Sequence, residues 1–136
     1  MFIDTSALVA VLTVEEERDA FALAIKNSQT KIISGLVRLE TVMAMTRKTD
    51  LKPERNSRAL DLLVSTMNIN YVALTEAISA LAIEAFGKYG KGQEHPAQLN
   101  LSDCMSYAAA KFYRQPLLFK GNNFPKTDAK LVKLKP

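Results

Sequence analysis

Met1-Phe2-Ile3-Asp4-Thr5-Ser6-Ala7-Leu8 opens the chain, and its reading decides the fold. A short apolar run ends in an acid, and a helical pattern begins at once. The run is too short for a buried helix and suits a buried strand. Asp4 therefore stands where a strand hands over to a helix. One role open to it there is the helix N-cap, which Asp fills well. Thr5 or Ser6 can cap instead, which would free the Asp4 carboxylate to face a ligand crevice.

The same alternation continues. Lys31-Ile32-Ile33, the run from Ile69 to Leu74, and Pro116-Leu117-Leu118-Phe119 read as further short buried strands. Helices are expected between them, at 15–27, 36–48, 54–67, from Glu76 toward Gly87, Gly90 and Gly92, and at 101–114. Pro53 suits a first helical turn, Thr75 a cap, and Arg114-Gln115-Pro116 a stop. Strands separated by helices need crossover connections and so form a parallel sheet. The expected fold is α/β: a three-layer α/β/α domain with a short parallel sheet of about four strands. It spans residues 1–136 as a single domain. Sheets of this kind bind ligands at the carboxyl ends of their strands. Asp4 lies at one such end, and Gly121-Asn122-Asn123 follows another.

Composition narrows the function. Hydrophobic residues make up 48 % of the 136, yet no run approaches the roughly 20 apolar residues of a membrane span. No charged segment precedes an apolar one at the start, so no signal peptide is expected. Cys104 is the one cysteine, which fits a reducing cytoplasm. It has no partner for nucleophilic catalysis, and with His95 alone it cannot make a zinc site. His95 reads as a residue of an exposed loop. There is no Gly-rich phosphate loop and no G-x-S-x-G turn. The net charge is +4, from 18 bases and 14 acids. The bases Lys120, Lys126, Lys130, Lys133 and Lys135 crowd the C-terminal stretch against Asp128. They read either as a solubilising tail or as an edge that attracts phosphates.

Two more acids are awkwardly placed. On a wheel of about 100° per residue, Leu36, Val37, Leu39, Met43 and Ala44 share one arc, and Glu40 falls inside it. An unpaired buried carboxylate costs several kcal/mol or shifts its pKa upward. A salt bridge to Arg47 is one remedy, and a bound cation is the other. Asp103 lies in a helix's first turn, where Asn100 can cap and the helix dipole favours an acid. Clustered carboxylates repel, and a divalent cation supplies the missing charge. Hard oxygen donors suit Mg²⁺ or Mn²⁺. An aspartyl-phosphate phosphatase with Asp4 as nucleophile is disfavoured, since Ser6 stands where a second acid is expected.

Taken together, these stretches resemble PIN-domain proteins. Met1 to Leu8 resembles their first strand and turn, and Gly35-Leu36-Val37-Arg38-Leu39-Glu40 the segment of their second acid. His95 to Cys104 resembles the third-acid segment of a VapC-type toxin subgroup. Leu117-Leu118-Phe119-Lys120-Gly121-Asn122-Asn123-Phe124, with Thr127-Asp128, resembles that subgroup's last strand and loop. The resemblance implies a Mg²⁺- or Mn²⁺-dependent endoribonuclease, the toxin of a toxin–antitoxin pair. Asp4, Glu40 and Asp103 would be metal ligands and catalytic residues, supported by Thr5 and Ser6. It also implies a homodimer and an antitoxin whose C-terminal tail covers the site. Two positions depart from the pattern. Ser102 replaces a usual glycine, and Asn123, or Asn122 in the adjacent register, stands where an aspartate is usual, with Asp128 as partial compensation. Arg38, Arg47, Lys48, Lys120 and Lys126 are the candidates for RNA contact. The alternative is a catalytically weakened PIN domain that binds RNA or protein.

Overall fold

A computed structural model describes residues 1–134. Lys135 of the basic C-terminal stretch lies outside the described residues. The elements follow the expected alternation: β1 (Phe2–Ile3), α1 (Thr5–Leu12), α2 (Arg18–Asn27), β2 (Ile32–Ser34), α3 (Gly35–Lys48), α4 (Pro53–Thr66), β3 (Asn70–Val72), α5 (Glu76–Tyr89), α6 (Leu101–Phe112) and β4 (Leu117–Leu118). A short 3-10 turn, Phe124–Lys126, follows. The helical pattern expected directly after Asp4 is α1, and the helix expected over 15–27 is α2, which begins later, at Arg18, because the chain turns between Leu12 and that point.

The four strands form one sheet in the order β3-β2-β1-β4, and every pair is parallel. β1 is central. Phe2 and Ile3 are fully buried, as are Leu117 and Ile33 beside them. Such burial is what helices on both faces of a parallel sheet produce, whereas the edge strand β3, expected to be buried, has Asn70 and Tyr71 exposed because no strand lies beyond it. α6 packs on β1 and β4 and lies along α5, while α1 contacts α2 and α3, and α3 contacts α4. The fold is the three-layer α/β/α arrangement expected. The β4 edge is covered by the chain's own C-terminal segment. Leu117 N–H donates to the Lys130 carbonyl at 2.8 Å, and Val132 N–H to the Leu117 carbonyl at 2.8 Å. Among the described residues no helix is long and apolar enough to cross a membrane.

Three helices end with the same device. Glu15 N–H returns to the Ala10 carbonyl at 2.9 Å, Ile69 N–H to Val64 at 2.9 Å, and Gln115 N–H to Ala110 at 2.8 Å. This reversal needs a left-handed residue just past the helix, a place glycine or asparagine usually fills. Here Val14, Asn68 and Arg114 fill it, with φ of 56°, 55° and 55°. For a β-branched residue that conformation is strained. Val14 is also 68 % exposed, so little packing offsets the strain. We expect Val14→Asn, which copies Asn68, to stabilise the fold by about 0.5–1 kcal/mol. Urea unfolding measures this. A loss of stability would show that the Val14 side chain makes contacts that outweigh its backbone.

Candidate active site

Asp4 leaves the end of β1 and caps α1 itself, so neither Thr5 nor Ser6 takes over that role. Its Oδ2 accepts from Ser6 N–H at 3.1 Å and from the Ser6 hydroxyl at 2.7 Å. Its Oδ1 accepts from the Ser106 hydroxyl at 2.8 Å. The carboxylate is only 5 % exposed. Ser6 in turn accepts the Lys120 backbone N–H at 2.9 Å, just after β4. The acid is thus held by α1, α6 and the β4 loop together. Ser106 was not visible as a site residue in the sequence. Its one signal is its position three residues after Asp103, which puts both on nearby faces of α6.

Glu40 corrects the helical-wheel expectation in part. The buried stripe of α3 is Val37, Thr41 and Met45, whereas Leu39 and Met43 are exposed. Thr41 can be buried because its hydroxyl donates to the Val37 carbonyl at 2.7 Å. The face is set by packing between α1 and α4, which hydrophobicity alone does not reveal. Glu40 therefore lies half-buried at the edge of the stripe. Its Oε1 accepts the Thr5 hydroxyl at 2.9 Å, placing it beside the residue that follows Asp4. Arg47 is exposed, and the bridge to Glu40 is absent among the described ion pairs.

Asp103 sits in the capping box of α6. Asn100 accepts the Asp103 N–H at 2.8 Å, and Asp103 Oδ2 accepts the Asn100 N–H at 3.1 Å. Its carboxyl is nonetheless pushed above the ordinary carboxylate range. Burial is the main cause, and the negative charges of Asp4 and Glu40 add to it. The Asn100 N–H and the Asn123 amide act in the opposite direction. The three acids from three distant segments thus lie within electrostatic reach of one another. Asn123, not Asn122, is the loop amide beside Asp103.

The remaining sequence candidates are placed elsewhere. Asp128 accepts from the Tyr107 hydroxyl and from the Tyr89 hydroxyl at 3.2 Å. It ties the C-terminal segment to α5 and α6 and does not compensate for the missing loop acid. His95 is half-buried, not solvent-exposed as expected. Its Nδ1 accepts the Ala97 N–H at 3.1 Å, and its ring meets Tyr89 edge-on at 4.8 Å. Cys104 is buried in the core, where desolvation pushes its thiol up. Among the cationic candidates, Arg38 is paired with Asp61 at 3.0 Å. Lys48 and Lys120 both grip Glu15, and Lys120 also reaches Glu17 at 3.1 Å. Arg47 and Lys126 have no ion-pair partner among the described residues.

The donor set fits a hard divalent cation. It offers carboxylate oxygens, hydroxyls and an amide, with no thiolate and no imidazole. None of the three acids is paired with a Lys or Arg among the described residues. The fit is not a closed cage: no group of three acidic, histidine or cysteine side chains among the described residues is close enough to hold an ion as it stands. Mutual repulsion opposes such closure until a positive charge is present.

The chain is similar to known proteins along nearly its whole length. Residues 1–130 match the family described as PIN domain. Ribonuclease VapC28 of Mycobacterium tuberculosis is 39 % identical over 127 residues, covering 93 % of each chain. Ribonuclease VapC30 of the same species is 39 % identical over 134 residues, covering 98 % of this chain and 99 % of the relative. Among solved structures, the sarcin–ricin loop cleaving toxin VapC20 of M. tuberculosis superposes with a TM-score of 0.75, covering 97 % of this chain and 98 % of that one. At 15 % identity that likeness speaks for the fold.

The raised carboxyl of Asp103 has a signed consequence. Its charged form is less favourable in the folded chain than in the unfolded one. The penalty is absent below the unfolded pKa, near 4, and grows as pH rises through the folded value. In chelator, Asp103→Asn is expected to melt higher than the parent at pH 7 and equally at pH 3. Thermal melts across that range check it. A lower melting temperature at pH 7 would mean that the carboxylate is needed as a cap.

Proposed function

The chain belongs to the PIN domain family, and from that footing we propose that it is a Mg²⁺- or Mn²⁺-dependent endoribonuclease acting as the toxin of a toxin–antitoxin pair. The observation that carries the reading is that three acids from distant segments lie close enough for Asp4 and Glu40 to raise the Asp103 carboxyl, with no Lys or Arg paired to any of them among the described residues. Relatives named as VapC ribonucleases over nearly the whole chain support it. Asp4, Glu40 and Asp103 hold the metal. A cation bound there would polarise the scissile phosphate and acidify the attacking water.

The surrounding residues fix these acids. Ser6 and Ser106 hold the two oxygens of Asp4, and Thr5 holds Glu40. Side chains locked in this way keep ligands within the narrow geometry that metal catalysis needs. Asn123 stands beside Asp103 and brings an oxygen without a charge. A second cation is accordingly held less well than a first. The proposal extends, by resemblance to VapC-type toxins, to a homodimer in the cytoplasm and a small antitoxin whose tail covers the site.

A second reading rests on the same loop. With Asn122-Asn123 in place of an acid, the chain would be a weakened PIN domain that binds RNA or protein without cutting. Cleavage of a labelled RNA in Mg²⁺, Mn²⁺ or chelator separates the two. The enzyme reading expects cleavage only with metal, and a loss of about a hundredfold or more in each of Asp4→Asn, Glu40→Gln and Asp103→Asn. Binding that is unchanged by metal, with no cleavage, would favour the second reading.

Asn123→Asp is expected to tighten Mn²⁺ binding in isothermal titration, since it adds charge next to Asp103. Unchanged affinity would place Asn123 outside the metal's reach.

A further inference from the structure

The C-terminal segment does more than cover the β4 edge. It runs alongside α6 in the same direction. Asn123 stands beside Asp103, Asp128 is bonded to Tyr107, and Ala129 and Lys130 lie opposite Ala110, Lys111 and Arg114. Asp103, Tyr107 and Lys111 follow one another at four-residue steps, so they form one stripe of the helix. Eight residues separate the first from the last, about 12 Å along the axis.

Beyond Tyr107 the stripe opens into a cavity of about 420 Å³ between α6 and this segment. Its floor includes Tyr107, Ala110 and Ala129, and its cations are Lys111, Arg114 and Lys130. All three cations are exposed, and none has an ion-pair partner among the described residues. They differ in this from Arg38, Lys48 and Lys120, whose charges are already taken. Asp128 is the acid in the cavity; both tyrosine hydroxyls bond its Oδ1, and Lys111 and Lys88 attract its charge from beyond ion-pair distance. The Lys111 ammonium lies 5.7 Å from the Tyr107 ring centre, which holds it over the groove. Arg114 is present despite its left-handed backbone at φ 55°, where glycine would be unstrained.

We propose that the cavity between the C-terminal half of α6 and residues 128–130 grips the backbone of the RNA substrate through Lys111, Arg114 and Lys130, at the far end of the helix that Asp103 begins. The inference rests on the ribonuclease reading for the identity of the polyanion. RNA is favoured over an acidic protein because Asp103, one of the acids proposed to hold the metal, begins the same helix, about 12 Å away along its axis. The cavity's apolar floor between cations also suits a base with its phosphate. A strand cut at Asp103 then has its flank held at the far end of the helix.

The test is the affinity of a fluorescein-labelled 12-nucleotide RNA, followed by anisotropy in EDTA over a salt series, so that no cleavage is required. Replacing Lys111, Arg114 and Lys130 together by glutamine is expected to weaken binding tenfold or more. It should also flatten the slope of log affinity against log salt by about 2, at roughly 0.7 per lost contact on a single strand. Arg114→Gly alone should weaken RNA binding while raising the melting temperature, opposite signs that a structural role cannot produce. Arg114→Lys should retain most of the affinity. Unchanged RNA affinity in the triple variant would overturn the proposal. So would an equal loss of affinity for a polyglutamate peptide of matching charge, which would make the groove a dock for acidic protein. If the parent binds RNA through these residues yet never cuts it with Mg²⁺ or Mn²⁺, the enzyme reading fails and the grip stands. If the parent cuts RNA and the triple variant binds and cuts equally well, the grip fails and the enzyme reading stands.

Discussion

The carboxylate of Asp4 is buried with no Lys or Arg paired to it among the described residues, and much of the molecule is arranged around it. Water no longer solvates it, so protein donors must. Ser6 supplies two of them from the first turn of α1, and Ser106 supplies the third from α6. The β4 loop is attached to the same point through Ser6. These bonds satisfy lone pairs but do not neutralise the charge. The fold therefore brings two further carboxylates toward a negative centre, and Asp103 bears part of the cost. That cost would be tolerable in a site whose working state included a cation, as we propose.

The sheet explains why the acids meet although they are far apart in sequence. Parallel strands all present their carboxyl ends to one side. β1 delivers Asp4 there, and the turn from β2 into α3 brings Glu40 to the same side. α6 starts there with Asp103 in its capping box. The capping geometry serves two purposes. It begins each helix, and it fixes the direction of an acid that a ligand can use.

Much of this was legible in the chain, and the failures have physical causes. Strand and helix alternation follow from short apolar runs between periodic segments, so the α/β fold could be read directly. Asp4 and Asp103 stood out because acids at element boundaries are easy to see. The helical wheel puts Glu40 inside an apolar arc, which is only partly right. Its helix buries Val37, Thr41 and Met45, and a satisfied threonine hydroxyl is invisible to a hydrophobicity pattern. Ser106 looked like any helical serine, since its importance depends on a partner 102 residues away. His95 and Asp128 could not be assigned either, because their partners are tyrosines and backbone groups gathered by the loop. Charge counting had the same weakness. Lys48 and Lys120 are spent on Glu15, holding its carboxyl below the ordinary range, while Lys111 and Arg114 remain open on a helix that drew no attention as basic.

The central claim is that Asp4, Glu40 and Asp103 share one divalent cation. Anomalous diffraction from a crystal soaked in Mn²⁺ tests it most directly, because it locates the ion without reference to activity. The account predicts one strong peak within about 2–2.5 Å of an oxygen from each of the three carboxylates. A peak elsewhere on the molecule, with these three side chains still apart at saturating Mn²⁺, would contradict it.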